Sequence, residues 1–200
     1  MKTAILLAGP MRSLPEVIAN HKQMVGDYDT FVSCKEEDYN DWINSGWNAK
    51  QIYITPMVEN STQWDDSTYW QYCNLRNVIL NVPEYDMYIR SRNDLIFQNT
   101  LPISLESIAD NELWNPDRMF WGQKWISNGT MNDQFYIGNK NVMNIVANFI
   151  INNEPNGDIA QTQLLKWLEL NNVIYKKFSR FNFTKNNFGY TGMEAIKKTI

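Results

Sequence analysis

The sequence predicts an α/β protein with a mostly parallel central sheet flanked by helices, in one domain. Three observations predict it. The first third of the chain alternates short apolar runs with segments of helical apolar spacing, in the order strand, helix, strand, helix, strand. Its leading run, Thr3 to Leu7, is continuous, as a strand covered on both faces requires. Farther on, Tyr85 to Phe97 (YDMYIRSRNDLIF) sets two arginines and an aspartate between two apolar runs. Such charges are costly to bury unpaired, so they either neutralise one another or sit at a strand end and hold a charged ligand.

The elements follow in order. Thr3 to Leu7 ends in Ala8-Gly9-Pro10-Met11-Arg12, a loop whose small residues admit a ligand to the backbone. Leu14, Val17, Ile18, His21 and Met24 recur at helical spacing, with Ser13 as the expected cap and Gly26-Asp27 as the stop. Thr30 to Cys34 is a second strand, Lys35 to Asp38 a polar connection, and the segment through Trp42 and Ile43 a helix. Gln51 to Thr55 is a third strand, stopped by Pro56. Glu59 to Ser67 reads as a loop and Thr68 to Leu80 as a helix that carries Arg76 among apolar neighbours. Met87 to Ile89 is a fourth strand with a polar carboxyl end.

The second half is less regular. Asp110 to Trp125 reads as one or two strands with a turn at Asn115-Pro116-Asp117, and Ser127 to Thr130 as a turn or loop. Met131 to Gly138 sets an acid, Asp133, just before a short strand. Helices over 140–151 and 159–170 follow, the second capped by Asp158. A strand over 173–178 and an aromatic, basic arm from Arg180 complete the chain.

Composition bounds the function. Of 200 residues, 44% are apolar, enough for one substantial core. A net charge of −4 and a pI near 5.1 argue against a nucleic-acid footprint, while leaving room for a local positive pocket. Two cysteines, Cys34 and Cys73, read as small buried hydrophobes in a reducing, cytoplasmic setting. The N-terminal apolar run is too brief for a signal peptide and reads as the first strand; no run reaches membrane-spanning length. One histidine with scattered cysteines gives no zinc ligand set. Neither G-x-x-x-x-G-K nor G-x-G-x-x-G occurs, which removes the main support for ATPase and dehydrogenase readings. In open parallel sheets ligands collect at the carboxyl ends of the strands, here Ala8 to Arg12, Ser33 to Lys35 and Thr55 to Met57.

Taken in order, AILLAGPMRS, YDMYIRSRNDLIF and NDQFYIGNKNVM resemble small GT-A-type glycosyltransferases of the surface-polysaccharide kind. These include WavE-like lipopolysaccharide-synthesis proteins and the N-terminal glycosyltransferase domain of large algal viruses, and the likeness runs from about Lys2 to Ile150. The resemblance implies a single GT-A-like domain, with a nucleotide-binding half over about 1–98, an acceptor-side half over about 99–180 and an arm over 181–200. It implies a nucleotide-diphosphate sugar as donor, a glycan or glycoconjugate as acceptor, and a divalent metal, Mn²⁺ or Mg²⁺. The usual Asp-x-Asp metal motif is replaced by Arg92-Asn93-Asp94, which leaves Asp94 as the candidate ligand.

The chemistry asks for positive charge on the leaving diphosphate and a carboxylate for the acceptor hydroxyl. Arg12, Lys35, Arg76, Arg90 and Arg92 are the candidate cations, with Ala8, Gly9 and Asn93 beside them, and Asp133 is the candidate base of an inverting displacement. Trp121, Trp125 and Tyr136 are candidate stacking surfaces. Each has a plainer alternative: a structural ion-pair cluster for Arg90, Arg92 and Asp94, a cap for Asp133, a helix-rim charge for Arg76, core packing for His21 and the tryptophans, and solvated loop acids instead of a second metal-ligand pair for Asp65-Asp66. A non-catalytic nucleotide or sugar module and a nucleotidyltransferase are the rival functions.

Overall fold

The computed structural model describes residues 1–13, 15–57, 59–60, 62–116, 119–121, 124–126, 134–178 and 183–185. The first half alternates as expected: β1 (Thr3–Ala8), α1 (Pro15–Met24), β2 (Asp29–Cys34), α2 (Tyr39–Ile43), β3 (Gln51–Ile54), α3 (Asp66–Asn81) and β4 (Met87–Ser91). After β4 come β5 (Leu95–Phe97), β6 (Glu112–Pro116), β7 (Met119–Trp121), β8 (Lys124–Ile126) and β9 (Phe135–Gly138). The order closes with α4 (Lys140–Ala147), α5 (Phe149–Asn152), α6 (Ala160–Leu170), β10 (Ile174–Phe178) and β11 (Phe183–Lys185).

Seven strands form the main sheet in the order β10-β6-β9-β4-β1-β2-β3. β1 pairs in parallel with β2 and β4, β2 with β3, and β10 with β6, whereas β9 runs antiparallel to both neighbours. The continuous apolar run of β1 is explained by this central place, since its side chains alternate into two cores. Ala4 and Leu6 join Phe31, Tyr88 and Tyr136 under α3, α4 and α6. Ile5 and Leu7 join Val32, Ile89 and Ile137 under α1 and α2, where Trp42 and Trp47 are buried.

Several local expectations are corrected. Ser13 does not serve α1: its hydroxyl donates to the Asn93 carbonyl and accepts the Trp47 indole N–H at 2.7 Å. Asp158 is not the cap of α6 either; Ile159 holds that position, and Asp158 pairs instead with Lys166 at 2.6 Å. The helix expected over 140–151 divides at Asn148 into α4 and α5. The turn expected at Asn115-Pro116-Asp117 is, through Pro116, the end of β6; Asn115 is buried, donating to the Phe135 carbonyl and accepting from the Tyr175 hydroxyl.

The stretch read as one strand with a polar end is two. β4 lies in the main sheet, residues 92–94 turn, and β5 leaves to pair antiparallel with β11 of the C-terminal arm. The Asn20 amide of α1 clasps the far end of β5, donating to the Phe97 carbonyl at 2.9 Å and accepting its N–H at 2.7 Å.

Candidate functional site

A cleft of about 390 Å³ opens at the carboxyl ends of β1, β2 and β4. Its strand-end wall is made by Ala8, Gly9, Pro10 and Arg12 after β1, Lys35, Glu37 and Asp38 after β2, and Arg90, Arg92 and Asn93 at the end of β4. The opposite wall is one stripe of α3, Asp66, Ser67, Trp70, Gln71 and Asn74, residues three and four apart and therefore neighbours on the helix surface.

The strand-end loops are held by a small set of bonds. Gly9 N–H donates to the Ser33 carbonyl at 2.9 Å, and the Gly9 carbonyl accepts the Trp42 indole N–H at 2.9 Å. Gly9 has φ of +100°, which side-chain-bearing residues rarely adopt, and the space where a Cβ would project is open. Glycine is needed here for its backbone, and the bare backbone faces the cleft. The Asn93 amide donates to the Pro10 carbonyl at 2.9 Å, so the loops after β1 and β4 are tied together. Arg92 N–H donates to the Gln134 carbonyl at 2.9 Å, which fastens the same turn to the chain entering β9.

Four cations meet on this framework. Arg90 is only 1% exposed, yet it lines the cleft; its guanidinium donates to the Ser91 carbonyl. Lys35 lies over the Trp70 ring, 4.8 Å from its centroid, and joins the two walls. Arg92 forks onto Asp94, Nε to Oδ1 at 2.8 Å and Nη2 to Oδ2 at 2.6 Å. The acids of the cleft are Glu37, Asp38 and Asp66. Burial, then Glu37 and Asp41, push the Asp38 carboxyl above the usual range, against the opposing pull of Lys35 and Arg12.

Of the residues singled out from sequence, Ala8, Gly9, Arg12, Lys35, Arg90, Arg92 and Asn93 line this one cleft. Arg76 does not line it, since its position on α3 lies opposite the stripe that does. Asp94 is buried behind Arg92, and Asp133 lies outside the described residues. Tyr136 is a core residue, 1% exposed, not a stacking surface of the cleft; the side chains of Trp121 and Trp125 lie outside the described set. Asp65 caps α3 through the Thr68 N–H at 3.0 Å; the Thr68 side chain first and this N–H second hold its carboxyl below the usual range, and Asp66 begins the helix at the cleft rim.

The α3 wall was missed by sequence reasoning. Its signal was present as the polar stripe Ser67, Trp70, Gln71, Asn74 beside an apolar one, a pattern that equally describes a solvated helix face.

The expected divalent metal does not fit the residues present. Each carboxylate oxygen of Asp94 accepts from one arm of the Arg92 fork, and among the described residues no three His, Cys, Asp or Glu side chains gather as a ligand group. Both cysteines are free; Cys34 is buried, and burial followed by Asp38 pushes its thiol up to about 12. Among the described residues, no helix is long and apolar enough to cross a membrane.

The mostly parallel seven-strand sheet with helices on both faces is an α/β fold that the chain shares with solved structures. Among solved structures, the chain is similar to the glycosyltransferase GlyE of Streptococcus pneumoniae, with a TM-score of 0.56 and 13% identity. That match covers 100% of this chain and 50% of the GlyE chain. It is similar too to a Bacillus anthracis protein described as a glucose-1-phosphate thymidylyltransferase, TM-score 0.52 and 15% identity, over 100% of this chain and 96% of that one. HddC of Yersinia pseudotuberculosis matches at TM-score 0.50 and 15% identity over 100% of both chains. At these identities the likeness establishes the fold alone. No protein-family model matches the chain, and no curated protein does.

Proposed function

We propose that the cleft binds a nucleotide-diphosphate sugar and that the protein is a GT-A-like glycosyltransferase, moving the sugar to a glycan or glycoconjugate hydroxyl with inversion. One observation carries this reading: Arg12, Lys35, Arg90 and Arg92 line one cleft together with Ala8 and Gly9, at the carboxyl ends of the strands. A diphosphate leaving group needs that density of positive charge, and guanidinium groups offer paired donors to its oxygens. In the reaction the acceptor O–H bond breaks and its oxygen bonds to the anomeric carbon. The bond from that carbon to the diphosphate breaks, and the nucleoside diphosphate leaves with the electron pair. The four cations stabilise that growing charge. The hydroxyl proton goes to a carboxylate, for which Asp133 is the proposed base.

A second reading is nucleotidyl transfer. It is favoured by the match to the thymidylyltransferase chain, which this chain spans almost end to end, against half of the glycosyltransferase chain. The products separate the two. Incubated with a panel of nucleotide-diphosphate sugars, the protein is expected to release nucleoside diphosphate slowly, and Arg90→Ala to reduce that release at least ten-fold. Pyrophosphate release from nucleoside triphosphate and sugar phosphate, without diphosphate release, would transfer the assignment to the second reading. Asp133→Asn is expected to keep donor affinity within about two-fold and to lower transfer; equal loss of both would remove Asp133 as the base.

A further inference from the structure

Asn74 is only 3% exposed, yet it lines the cleft. Its direction is set by a chain of hydrogen bonds that begins at the exposed C-terminal end of α3 and becomes buried at Ser33 and Thr55. The Asn81 amide donates to the Asn77 backbone carbonyl and to Asn77 Oδ1, both at 2.9 Å. A backbone carbonyl only accepts, so Asn81 turns its NH₂ to Asn77, which in turn gives its oxygen to Asn81 and its own NH₂ to Ser33 Oγ at 2.9 Å. Ser33 Oγ lies 2.7 Å from Thr55 Oγ1, and Thr55 donates to Asn74 Oδ1 at 2.6 Å.

The alternative direction fails at one proton. Were the Asn74 amide reversed, it would donate to Thr55 and Thr55 to Ser33, leaving the fully buried Ser33 hydroxyl proton without an acceptor among the described residues. A stranded buried donor carries its full desolvation penalty with nothing to offset it. In the direction the network favours, every hydroxyl proton is placed. The Asn74 oxygen is spent on Thr55, and its Nδ2 has no partner among the described residues.

The residue is nearly buried and its NH₂ opens only onto the cleft, where it offers a fixed donor to an acceptor on the ligand. The neighbouring α3 groups, the Trp70 ring and the Gln71 amide, are uncharged, whereas the four cations come from the strand-end wall. On the nucleotide-sugar reading above, the diphosphate belongs with the cations and the base with the α3 wall. We infer that Asn74 is a specificity-determining residue: it donates to the exocyclic carbonyl oxygen of a keto base, O4 of uracil or thymine or O6 of guanine. Cytosine and adenine carry an NH₂ donor at that place. Two donors would then face each other with neither satisfied, which is the strongest form of rejection a polar pocket has.

Calorimetric titration of the intact protein with UDP, dTDP, GDP, CDP and ADP tests this. At least one of UDP, dTDP and GDP is expected to bind ten-fold or more tightly than both CDP and ADP. Asn74→Asp, which offers only acceptors, is expected to lose or invert that ratio. Thr55→Val, which frees the Asn74 amide to turn, is expected to bring the ratio toward one while diphosphate binding persists; a role in packing alone would leave the ratio unmoved. Equal binding of UDP with CDP and of GDP with ADP overturns the inference and leaves nucleotide binding standing, as does a ratio unchanged in both variants. Absence of binding to every diphosphate overturns the nucleotide-sugar reading and this inference with it.

Discussion

Arg92 and Asp94 illustrate how residue type and spacing leave roles open. The pattern Arg-x-Arg-x-Asp after a strand offered charge for a diphosphate and a carboxylate for a metal, both argued from the cost of burying such groups alone. The bidentate fork joins two of the three, so Asp94 acts on Arg92 by fixing its guanidinium plane at the cleft edge. Asp94→Ala is expected to lower stability by about 2 kcal/mol, the worth of hydrogen bonds to a charged group, and Arg92→Ala to be coupled to it by about 1–3 kcal/mol in a double-mutant cycle. Donor affinity is expected to fall equally in both single variants, and by the same factor with a chelator present. A loss confined to chelator-free solution would return Asp94 to the metal. Sequence offered this pairing as one alternative and could not choose it, because the strand ends at Ser91 and the turn that follows decides whether Arg92 and Asp94 meet.

Elements were legible where periodicity was long, and their ends were not. α3 shows both: its apolar face was read correctly, but the helix starts at Asp66 because Asp65 caps it, two residues before the expected start. α1 was read from Val17, Ile18 and His21, and His21 is buried there as expected of a core residue. It bridges α1 to β4 through Ser91 Oγ at 2.9 Å and meets Trp47 and Phe97 edge-on at 5.0 and 5.3 Å. Burial lowers its pKa from 6.5 to about 3. The unfolded chain therefore takes up this proton as pH falls below about 6.5, and the native protein does not until about 3. The stability is fully present above that window and is lost on acidification at about 1.4 kcal/mol per pH unit. Between pH 7 and pH 5, wild-type protein is expected to lose about 2 kcal/mol more than His21→Gln in urea unfolding. Equal losses would mean that His21 is charged in the fold.

At the scale of the molecule, a chain of net charge −4 gathers four cations and three acids along one cleft. Under the proposed function, the attraction for a nucleoside diphosphate is local and set against an unfavourable distant field. Raising salt from about 50 to 500 mM shortens the screening length from roughly 14 to 4 Å, inside the reach of all but the contacting charges. Diphosphate affinity is expected to fall several-fold over that range, and the neutral nucleoside's affinity to stay level. A nucleoside that weakens in parallel would show that the cations do not act on the phosphates.

The α/β class, the central place of β1, the loop at Ala8 to Arg12 and the charged end of β4 followed from local pattern, because burial on one or two faces writes its period directly into consecutive residues. Strand order, the antiparallel insertion of β9, the departure of β5 to meet β11, the choice of an Arg92 fork over a metal for Asp94 and the amide relay that ends at Asn74 did not. Each of these joins residues far apart in sequence or turned by a loop, and one-dimensional periodicity carries no record of which distant element supplies a partner. Long-range pairing brings Ser33, Thr55 and Asn74 within bonding distance, and only there does an ordinary helix asparagine acquire a direction.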